Sequence, residues 1–536
     1  MNEVFTLKIL DRFKSLFKLL KVDYASLRLI IKFKLMMDQR RVPTILQDGN
    51  RRAKPMISPF VKSLLIYALY GLFIIPFLVM GEQYLFQMSI VFAMMMFILI
   101  TSMISDFSSV LLDVRDKVVL DTKPVDARTL SIAKATHIVI YMTQLTGAFL
   151  AIPFVVSSLV NGLVFSLLFL IAIILISIFC IVSTALFYMI VLKYFDGEKL
   201  KSFINAIQIF LTIGLAVGYQ LFVQMFNFVD FNYTINWSWW HLFLPPLWFS
   251  APFEMILIEQ YTGEFILATI IAVTLPSVLL AIYIKFIPTF ERNLQKLMSS
   301  SSIRKPKKDR LSNWLAKLVS RNKQEQAMFG LARSMLRHER EFKLKVYPSL
   351  GLSAVFPIFF LIYFESMLET GSYQYGYLYG YFAVLMVPQV VYMLKYSSKA
   401  KGSWIYRVVP VKDVKLYYRA TLKAFIIQLY LPIVLLITLV NVYLTGPSVL
   451  IHFAVILLTG SLFMVICYLT INQERYPFSV PFTLMETANT VNMFLALLIA
   501  GAMGIAHFLI SMVPFGVYGY VVLLIVIHYY VWKKTL

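Results

Sequence analysis

Acidic residues and cysteines are scarce in this chain of 536 residues. Asp and Glu total 27 against 49 Lys and Arg, and charged residues make up only 14% of the chain. Because soluble proteins carry about 25% charged residues, the composition excludes one soluble core of this length. The two cysteines, Cys180 and Cys467, both lie in apolar runs, which excludes a disulfide-stapled exterior and a cysteine zinc site.

Three other features are also absent from the sequence: a nucleotide-binding motif, a signal peptide and carboxylates deep in the apolar runs. No Gly-x-x-x-x-Gly-Lys-Ser/Thr occurs, so the chain lacks that phosphate cradle for ATP. We expect no cleavable signal peptide, because residues 1–58 are basic and only locally apolar. No Asp or Glu lies deep in an apolar run, whereas embedded ionisable residues usually mark ion or proton relays.

Hydrophobic residues form 60% of the chain and are gathered into runs of about 20 residues, the length of a membrane span. We therefore predict an all-α polytopic membrane protein with about twelve transmembrane helices. The predicted spans lie near residues 59–80, 85–105, 132–158, 163–192, 203–226, 264–285, 346–364, 377–394, 422–444, 449–470, 491–512 and 515–532.

The distribution of basic residues predicts the orientation of these spans. With the N-terminus inside, the outer loops contain neither Lys nor Arg, so both termini are predicted to be cytoplasmic. The accumulation of Lys and Arg in the predicted cytoplasmic segments also accounts for the net charge of +22. A nucleic-acid partner is not needed to explain this charge, and the sequence has no separate basic domain with base-stacking aromatics. The outer loops are residues 81–84, 160–162, 227–263, 365–376, 445–448 and 513–514.

Three pairs of similar short sequences predict that the chain is a duplication of one six-span half. The pairs are Leu27-Arg28 with Leu336-Arg337, Phe33-Lys34-Leu35 with Phe342-Lys343-Leu344, and Pro124-Val125 with Leu130 against Pro410-Val411 with Leu416. The predicted parts are a cytoplasmic N-terminal segment (1–58), a first half (59–287), a basic cytoplasmic linker (288–345) and a second half (346–536).

Each half is preceded by a basic, partly apolar segment, predicted as an amphipathic elbow helix over 24–41 and 327–345. Such a helix lies in the membrane interface with its basic side toward headgroups and cytoplasm. A simple anchor is the alternative. A linker helix over 314–319 is predicted either to rest on anionic lipid or to act as a plain tether. The basic elbow positions are Arg28, Lys32, Lys34, Arg337 and Lys343.

The cytoplasmic loop after the second span of each half combines a short amphipathic turn with a proline that ends it. We interpret each loop as a rigid knob that docks into a soluble partner; a solvated loop is the alternative. The candidate residues are Asp113, Arg115, Asp116, Asp121, Lys123 and Pro124 in the first loop, and Trp404, Arg407 and Pro410 in the second.

Three stretches carry a resemblance to a known family. They are Leu120-Asp-Thr-Lys-Pro-Val-Asp-Ala-Arg-Thr-Leu130 with Lys134, Trp404-Ile-Tyr-Arg-Val-Val-Pro-Val411, and Leu244-Pro-Pro-Leu-Trp-Phe-Ser-Ala251. With the repeat, they resemble permease subunits of ABC exporters of the ABC-2 type. The resemblance implies elbow helices, a coupling helix between the second and third spans, and short re-entrant helices before the sixth. The chain departs from it after the eleventh span, where only Met512–Phe515 separates the last two spans.

The resemblance implies a non-enzymatic permease with no catalytic, cofactor or metal site of its own. A separate ABC ATPase, in two copies, would carry ATP and Mg²⁺ and dock on the two loops. The cargo would be amphipathic, peptide, drug-like or lipid-like, the direction export, and the location the plasma membrane of a bacterium, in contact with its lipids.

Two sets of polar and aromatic residues are candidates for the transport path. The outer segment holds tryptophans and a Pro-Pro pair, which predict either an interfacial belt and cap or an exit gate. Amides inside the spans are pathway candidates, with helix–helix hydrogen bonding as the alternative; His137 and His507 are interpreted as packing residues. The gate residues are Trp237, Trp240, Pro245, Pro246 and Trp248; the amides are Gln144, Gln208, Gln220, Gln389, Gln428 and Asn441.

Two other functions remain as alternatives. An ion-coupled secondary transporter with two six-helix repeats would also show the duplication, but it would need embedded carboxylates. A membrane enzyme acting on lipids would need His, Asp or Glu clustered at one bilayer face, and the six histidines are scattered along the sequence.

Overall fold

The protein is almost entirely helical. A computed structural model describes residues 5–19, 21–40, 59–79, 83–111, 125–195, 197–228, 235, 237–299, 310–320, 322–367, 373–408, 415–471, 476–485 and 490–534. These residues divide into two compact units, referred to below as unit 1 (1–204 and 225–302) and unit 2 (205–224 and 303–536).

In the described residues up to 299, all the regular elements are helices. They are α1 (Phe5–Arg12), α2 (Lys14–Leu19), α3 (Tyr24–Arg40), α4 (Pro59–Leu72), α5 (Ile75–Val79), α6 (Tyr84–Leu111), α7 (Ala127–Tyr194), α8 (Gly197–Phe228), a 3₁₀ turn (Trp239–Phe243), α9 (Pro245–Leu257) and α10 (Gly263–Ser299).

The second part adds one pair of two-residue strands. It contains α11 (Arg310–Val319), α12 (Lys323–His338), α13 (Arg340–Met367), a 3₁₀ segment (Tyr373–Tyr381), α14 (Phe382–Leu385), α15 (Val387–Met393), β1 (Tyr396–Ser397), a 3₁₀ turn (Ala400–Trp404), α16 (Ile405–Val408), α17 (Lys415–Phe425), a π-helical turn (Ile426–Tyr430), α18 (Leu431–Thr445), a 3₁₀ turn (Pro447–Val449), α19 (Leu450–Ile471), β2 (Val480–Pro481), a 3₁₀ turn (Phe482–Leu484), α20 (Thr490–Ser511) and α21 (Gly516–Lys534).

Nine helical stretches within the described ranges are long and apolar enough to cross a membrane, which makes the protein polytopic. Two further apolar helices, Phe60–Leu72 and Ser202–Gly214, are shorter. The nine are Tyr84–Ile104, Arg128–Tyr194, Gly263–Ile287, Arg340–Leu361, Tyr375–Met393, Lys415–Thr445, Pro447–Ile471, Val491–Ser511 and Gly516–Lys533.

The longest of these stretches, α7, is a hairpin of two arms. Gly162 has φ 79° and ψ −174°, which interrupts the helix. The rings of Phe154 and Phe169 are 6.2 Å apart, whereas residues so spaced in a straight helix would be separated by about 22 Å. The chain therefore reverses at Gly162, in the predicted outer loop 160–162.

The connection between α18 and α19 in unit 2 turns in the same way. Gly446 has φ 88° and ψ 177°, close to the values at Gly162. Both glycines lie in the loop predicted between the third and fourth spans of a half. The two turns thus share one backbone conformation.

One helix of the first half is divided between the units. Residues 205–224 of α8 belong to unit 2, although the sequence places them in the first half. Arg340 Nε donates to Asn205 Oδ1 at 2.9 Å. A Cβ on Gly351 would lie 2.1 Å from Ile213 Cδ1, so the helices α8 and α13 pack closely here.

The elbow segments differ between the two units. In unit 1, α3 is one continuous helix over 24–40, and its apolar residues Leu27, Ile31 and Leu35 are buried. In unit 2, α12 ends at His338 and α13 begins at Arg340. The predicted helix over 327–345 is therefore broken at Glu339, whose backbone is extended and whose side chain forms contacts described below.

Candidate docking surface

The loop that follows the second span of unit 2 is ordered from β1 to α16. After Ser397 it forms a 3₁₀ turn and then the single helical turn of α16. Such short elements have little stability of their own. Their order must therefore come from contacts with the rest of unit 2, and three kinds of contact supply it.

The first contact is a buried carboxylate at the break between α12 and α13. Glu339, which is only 5% exposed, accepts hydrogen bonds from Ser397 Oγ at 3.0 Å and from Ser398 N at 2.7 Å. Ser398 Oγ donates to the same carboxylate. A buried carboxylate is costly unless it is hydrogen-bonded, so these bonds favour one position of the loop.

The second contact is the pairing of two strands. Tyr396 and Ser397 of β1 lie parallel to Val480 and Pro481 of β2. Beside this pair, Phe478 N donates to Leu394 O at 2.8 Å. The segment after α19 is thus joined by backbone hydrogen bonds to the start of the loop.

The third contact is a cluster of tyrosines beneath α16. The ring of Tyr406 stacks on Tyr476 at 5.4 Å and meets the edge of Tyr417 at 4.8 Å. Tyr418 lies 4.8 Å from Tyr468, and burial raises the pKa of Tyr406. Because aromatic pairs add to the stabilisation from burial, this cluster holds α16 against α17 and α19.

Two apolar side chains project from the ordered loop into solvent. Trp404 is 62% exposed and Val408 is 67% exposed. Lys399 and Lys401, which precede them, are also exposed. A rigid turn that presents a tryptophan and cations has the features of a protein-docking site, because Trp is enriched among the residues that contribute most to binding.

The remaining predicted loop residues give less information. Arg407 lies in α16. The others lie outside the described residues; they are Asp113, Arg115, Asp116, Asp121, Lys123 and Pro124 of the first loop and Pro410 of the second. The loop of the first half therefore stays a prediction.

Each predicted elbow helix packs on the first part of the predicted third span in its own unit, and a contact between an acidic and a basic side chain links the two. His137 Nε2 lies 2.6 Å from Asp38 Oδ2; Lys423 Nζ lies 2.8 Å from Glu325 Oε1. His137 follows Leu130 by seven residues, and Lys423 follows Leu416 by the same number, so the two basic residues occupy matching positions of the predicted repeat.

The predicted elbow residues occupy different environments. Arg28 Nε donates to Asp11 Oδ1 at 2.8 Å, and this bond, with one from Tyr24, lowers the pKa of Asp11. Lys34 is 8% exposed, and Lys32 is partly exposed. Arg337 lies in the last turn of α12 and is exposed, whereas Lys343 lies in α13.

The linker helix α11 packs on α12 through Ala316, which is 6% exposed. On its other side Trp314 and Leu318 are 59% and 70% exposed. The position of this helix leaves both predictions for it, a lipid contact and a tether, in place.

The five gate residues of the predicted outer segment in unit 1 differ in their burial and contacts. Trp248 is 8% exposed, and its Nε1 donates to Leu242 O at 2.8 Å, so it belongs to the core. Trp240 is 47% exposed. Trp237 meets the edge of Phe265 at 5.7 Å, while Pro245 and Pro246 form the first turn of α9.

A carboxylate in α9 joins this segment to the second span. Glu254 is 7% exposed, and its Oε2 accepts a hydrogen bond from Leu85 N, in the first turn of α6, at 3.0 Å. Burial raises the pKa of Glu254, and the bond from Leu85 opposes this shift. The helix α9 is thereby fixed to the N-terminus of α6.

The pathway amides belong to five different helical elements. Gln144 Nε2 donates to Thr6 Oγ1 at 3.2 Å and so ties α7 to α1. Gln428 lies in the π-helical turn and Asn441 lies in α18. The amide oxygens of both side chains are buried and accept no hydrogen bond from the described residues. Gln389 lies in α15, and Gln208 and Gln220 lie in α8.

Comparison of the chain with protein-family models, with curated proteins and with solved structures gave no match. Function is therefore inferred from the sequence pattern and from the geometry described above.

Several residues that build the surface gave no recognisable signal in the sequence. Glu339 lies 58 residues before Ser397, and Tyr476 lies 70 residues after Tyr406, so neither pairing follows from local spacing. The density of tyrosines near residues 406–418 was the only available sign of an aromatic cluster.

Proposed function

We propose that this protein is the permease subunit of an ATP-driven ABC exporter, with two six-span halves in one chain. A separate ABC ATPase, bound as two copies, docks on the two cytoplasmic loops and supplies ATP and Mg²⁺. The chain is not itself an enzyme and exports an amphipathic, peptide, drug-like or lipid-like molecule across a bacterial plasma membrane.

The exposed Trp404–Val408 turn is the observation that carries this proposal. It is held by a buried glutamate, a strand pair and a tyrosine cluster, and it lies directly after a candidate span. A turn fixed in this way can transmit force from a partner to the spans, whereas a solvated loop cannot. The resemblance of residues 404–411 to a coupling loop agrees with this role.

The span count and the repeat support the same proposal. Nine candidate stretches, one of which is a hairpin, together with two shorter apolar helices, are compatible with twelve spans. The matching turns at Gly162 and Gly446 and the matching contacts of His137 with Asp38 and of Lys423 with Glu325 support two related halves. Movement of two such halves against each other is a common basis of alternating access.

The test compares two tryptophans of similar exposure. We expect Trp404→Ala to weaken binding of the proposed partner ATPase by roughly 30-fold, since hot-spot residues contribute about 2 kcal/mol or more. Trp314→Ala on α11 is the matched control and should leave binding unchanged. Affinity is measured with the detergent-solubilised full-length chain and purified ATPase.

Equal binding by the two variants and the unaltered chain would contradict docking at the loop. Failure to bind any ATPase, together with substrate flux in vesicles that persists without ATP, would favour the alternative, an ion-coupled secondary transporter with two six-helix repeats.

A further inference from the structure

Two histidines and Tyr381 form a hydrogen-bonded network inside unit 2, and the ring of Tyr377 stacks on one of the histidines. His452 in α19 and His507 in α20 lie within candidate spans, as do Tyr377 and Tyr381 of the 3₁₀ segment. His507 is fully buried, at 0% exposure. Ionisable groups inside a membrane are rare and usually functional, and neither the docking surface nor the transport proposal uses these residues.

The distances define a chain of hydrogen bonds. His452 Nδ1 lies 3.1 Å from His507 Nε2, and His507 Nδ1 lies 3.2 Å from Tyr381 Oη. Tyr381 Oη donates to Met503 O at 3.4 Å. Because that hydroxyl proton points to Met503, His507 Nδ1 carries a proton and donates to Tyr381, and His507 Nε2 accepts from His452 Nδ1–H.

This pattern leaves His452 able to bind another proton. His452 is only partly buried, and its other nitrogen, Nε2, is not used by the chain of hydrogen bonds. The ring of Tyr377 stacks on His452 with centroids 3.9 Å apart. A cationic imidazole in that position would be attracted by the face of the phenol ring and would still donate Nδ1–H to His507.

The surroundings limit the pair to one charge. Two imidazolium rings joined at 3.1 Å would repel each other strongly. Among the described side chains, the titratable groups that face the pair are Tyr377, Tyr381 and Tyr520 of α21, whose ring lies 6.2 Å from His507. The neighbouring stretches 350–361 of α13 and 431–445 of α18 contain no Asp, Glu, Lys or Arg.

We propose that His452 and His507 form a single-proton binding site in the spans of unit 2. A proton binds to His452 Nε2, where one N–H bond forms, while His452 Nδ1–H continues to donate to His507 Nε2. The charge stays on the partly exposed His452 ring, against the face of Tyr377, and strengthens the bond from His452 to His507.

The site is connected to the docking loop by consecutive short elements. The 3₁₀ segment that holds Tyr377 and Tyr381 is followed by α14, α15 and β1. A 3₁₀ stretch of nine residues within a span is unusually long, and such stretches often mark hinges. The proton site thus lies against the segment that leads to the docking surface.

The proton site is tested on the full-length chain in lipid nanodiscs, with only the six histidines labelled with ¹³C. In the unaltered chain, the His452 and His507 resonances should shift together, with one midpoint and an uptake of one proton, as the pH is lowered from about 8 to about 4. In His507→Gln, the midpoint of His452 should move by more than half a pH unit. The exposed His338 provides a reference, and His338→Gln is the matched control.

Separate midpoints for the two histidines, or no shift of either over that range, would overturn the proposal. If His507→Gln fails to fold, Tyr381→Phe keeps the ring and removes the hydroxyl; an unchanged common midpoint in that variant would count against the chain of hydrogen bonds. No ATPase is needed for these measurements, so their outcome is independent of the proposed function.

Discussion

At the scale of single residues, the two hairpin glycines have a role that other residues cannot take. The backbone at Gly162 and Gly446 lies in a region with positive φ and extended ψ, which is accessible almost only to glycine. No atom lies within 4 Å of a Cβ added at either position, so the backbone conformation alone creates the requirement.

Substitution of these glycines should therefore cause strain without a steric clash. We expect Gly162→Ala and Gly446→Ala each to lower the free energy of unfolding by about 1–3 kcal/mol. Gly147→Ala and Gly501→Ala, at open helical positions, should be neutral or stabilising by up to about 1 kcal/mol. Thermal unfolding of the detergent-solubilised chain measures both pairs. Equal losses at the turn and helix positions would disprove the role of the turns.

At the scale of elements, one ion pair holds the second elbow helix to the third span. Lys423 of α17 contacts Glu325 of α12 at 2.8 Å and donates to Val319 O at 3.1 Å. The Glu325 side chain is 7% exposed, whereas that of Lys423 is 22% exposed. Loss of the lysine would leave a nearly buried carboxylate without its cation.

A double-mutant cycle should reveal this coupling. Lys423→Met is expected to destabilise the docking of α12 by roughly 3 kcal/mol, because it removes one partner of a mostly buried pair. Adding Glu325→Gln should restore a large part of that loss, since the unpaired charge disappears. Hydrogen exchange of residues 323–338 measures the effect, and Lys317→Met, at an exposed site of α11, is the control. Additive effects of the two substitutions would exclude coupling.

The sequence was sufficient to predict the apolar helices, because hydropathy is a local property of each stretch. It also predicted the reversal near Gly162 and a helix near residues 24–41. It did not predict the break at Glu339, because the partners that stabilise the break, Ser397 and Ser398, are distant in the chain. The histidine pair was missed for the same reason: His452 and His507 are 55 residues apart, and each seemed isolated.

At the scale of the whole molecule, the fold crosses the boundary between the two sequence halves. Residues 205–224 precede the linker but belong to unit 2. The bond from Arg340 to Asn205 and the close packing of Gly351 on Ile213 fix that helix within unit 2. Unit 2 therefore assembles from two separate parts of the chain, residues 205–224 and residues 303–536.

This arrangement predicts that two fragments cut within the linker remain associated. Fragments 1–302 and 303–536, expressed together, should copurify, because the first fragment supplies a helix that unit 2 requires. Gly351→Leu should reduce recovery of the complex at least tenfold, which corresponds to about 1.4 kcal/mol, since a Cβ there meets Ile213. Gly501→Leu, at an open position of the same fragment, is the control. Equal recovery with both variants would refute the assignment.

The 3₁₀ segment Tyr373–Tyr381 also gives the second span of unit 2 a variable length. A 3₁₀-helix rises about 2.0 Å per residue and an α-helix about 1.5 Å. Rewinding these nine residues into an α-helix would thus shorten the span by about 4–5 Å. Because β1 and the Trp404 turn follow this span, such a shortening would pull on the docking loop, and the contacts of the loop with Glu339, β2 and the tyrosine cluster would have to move with it or break.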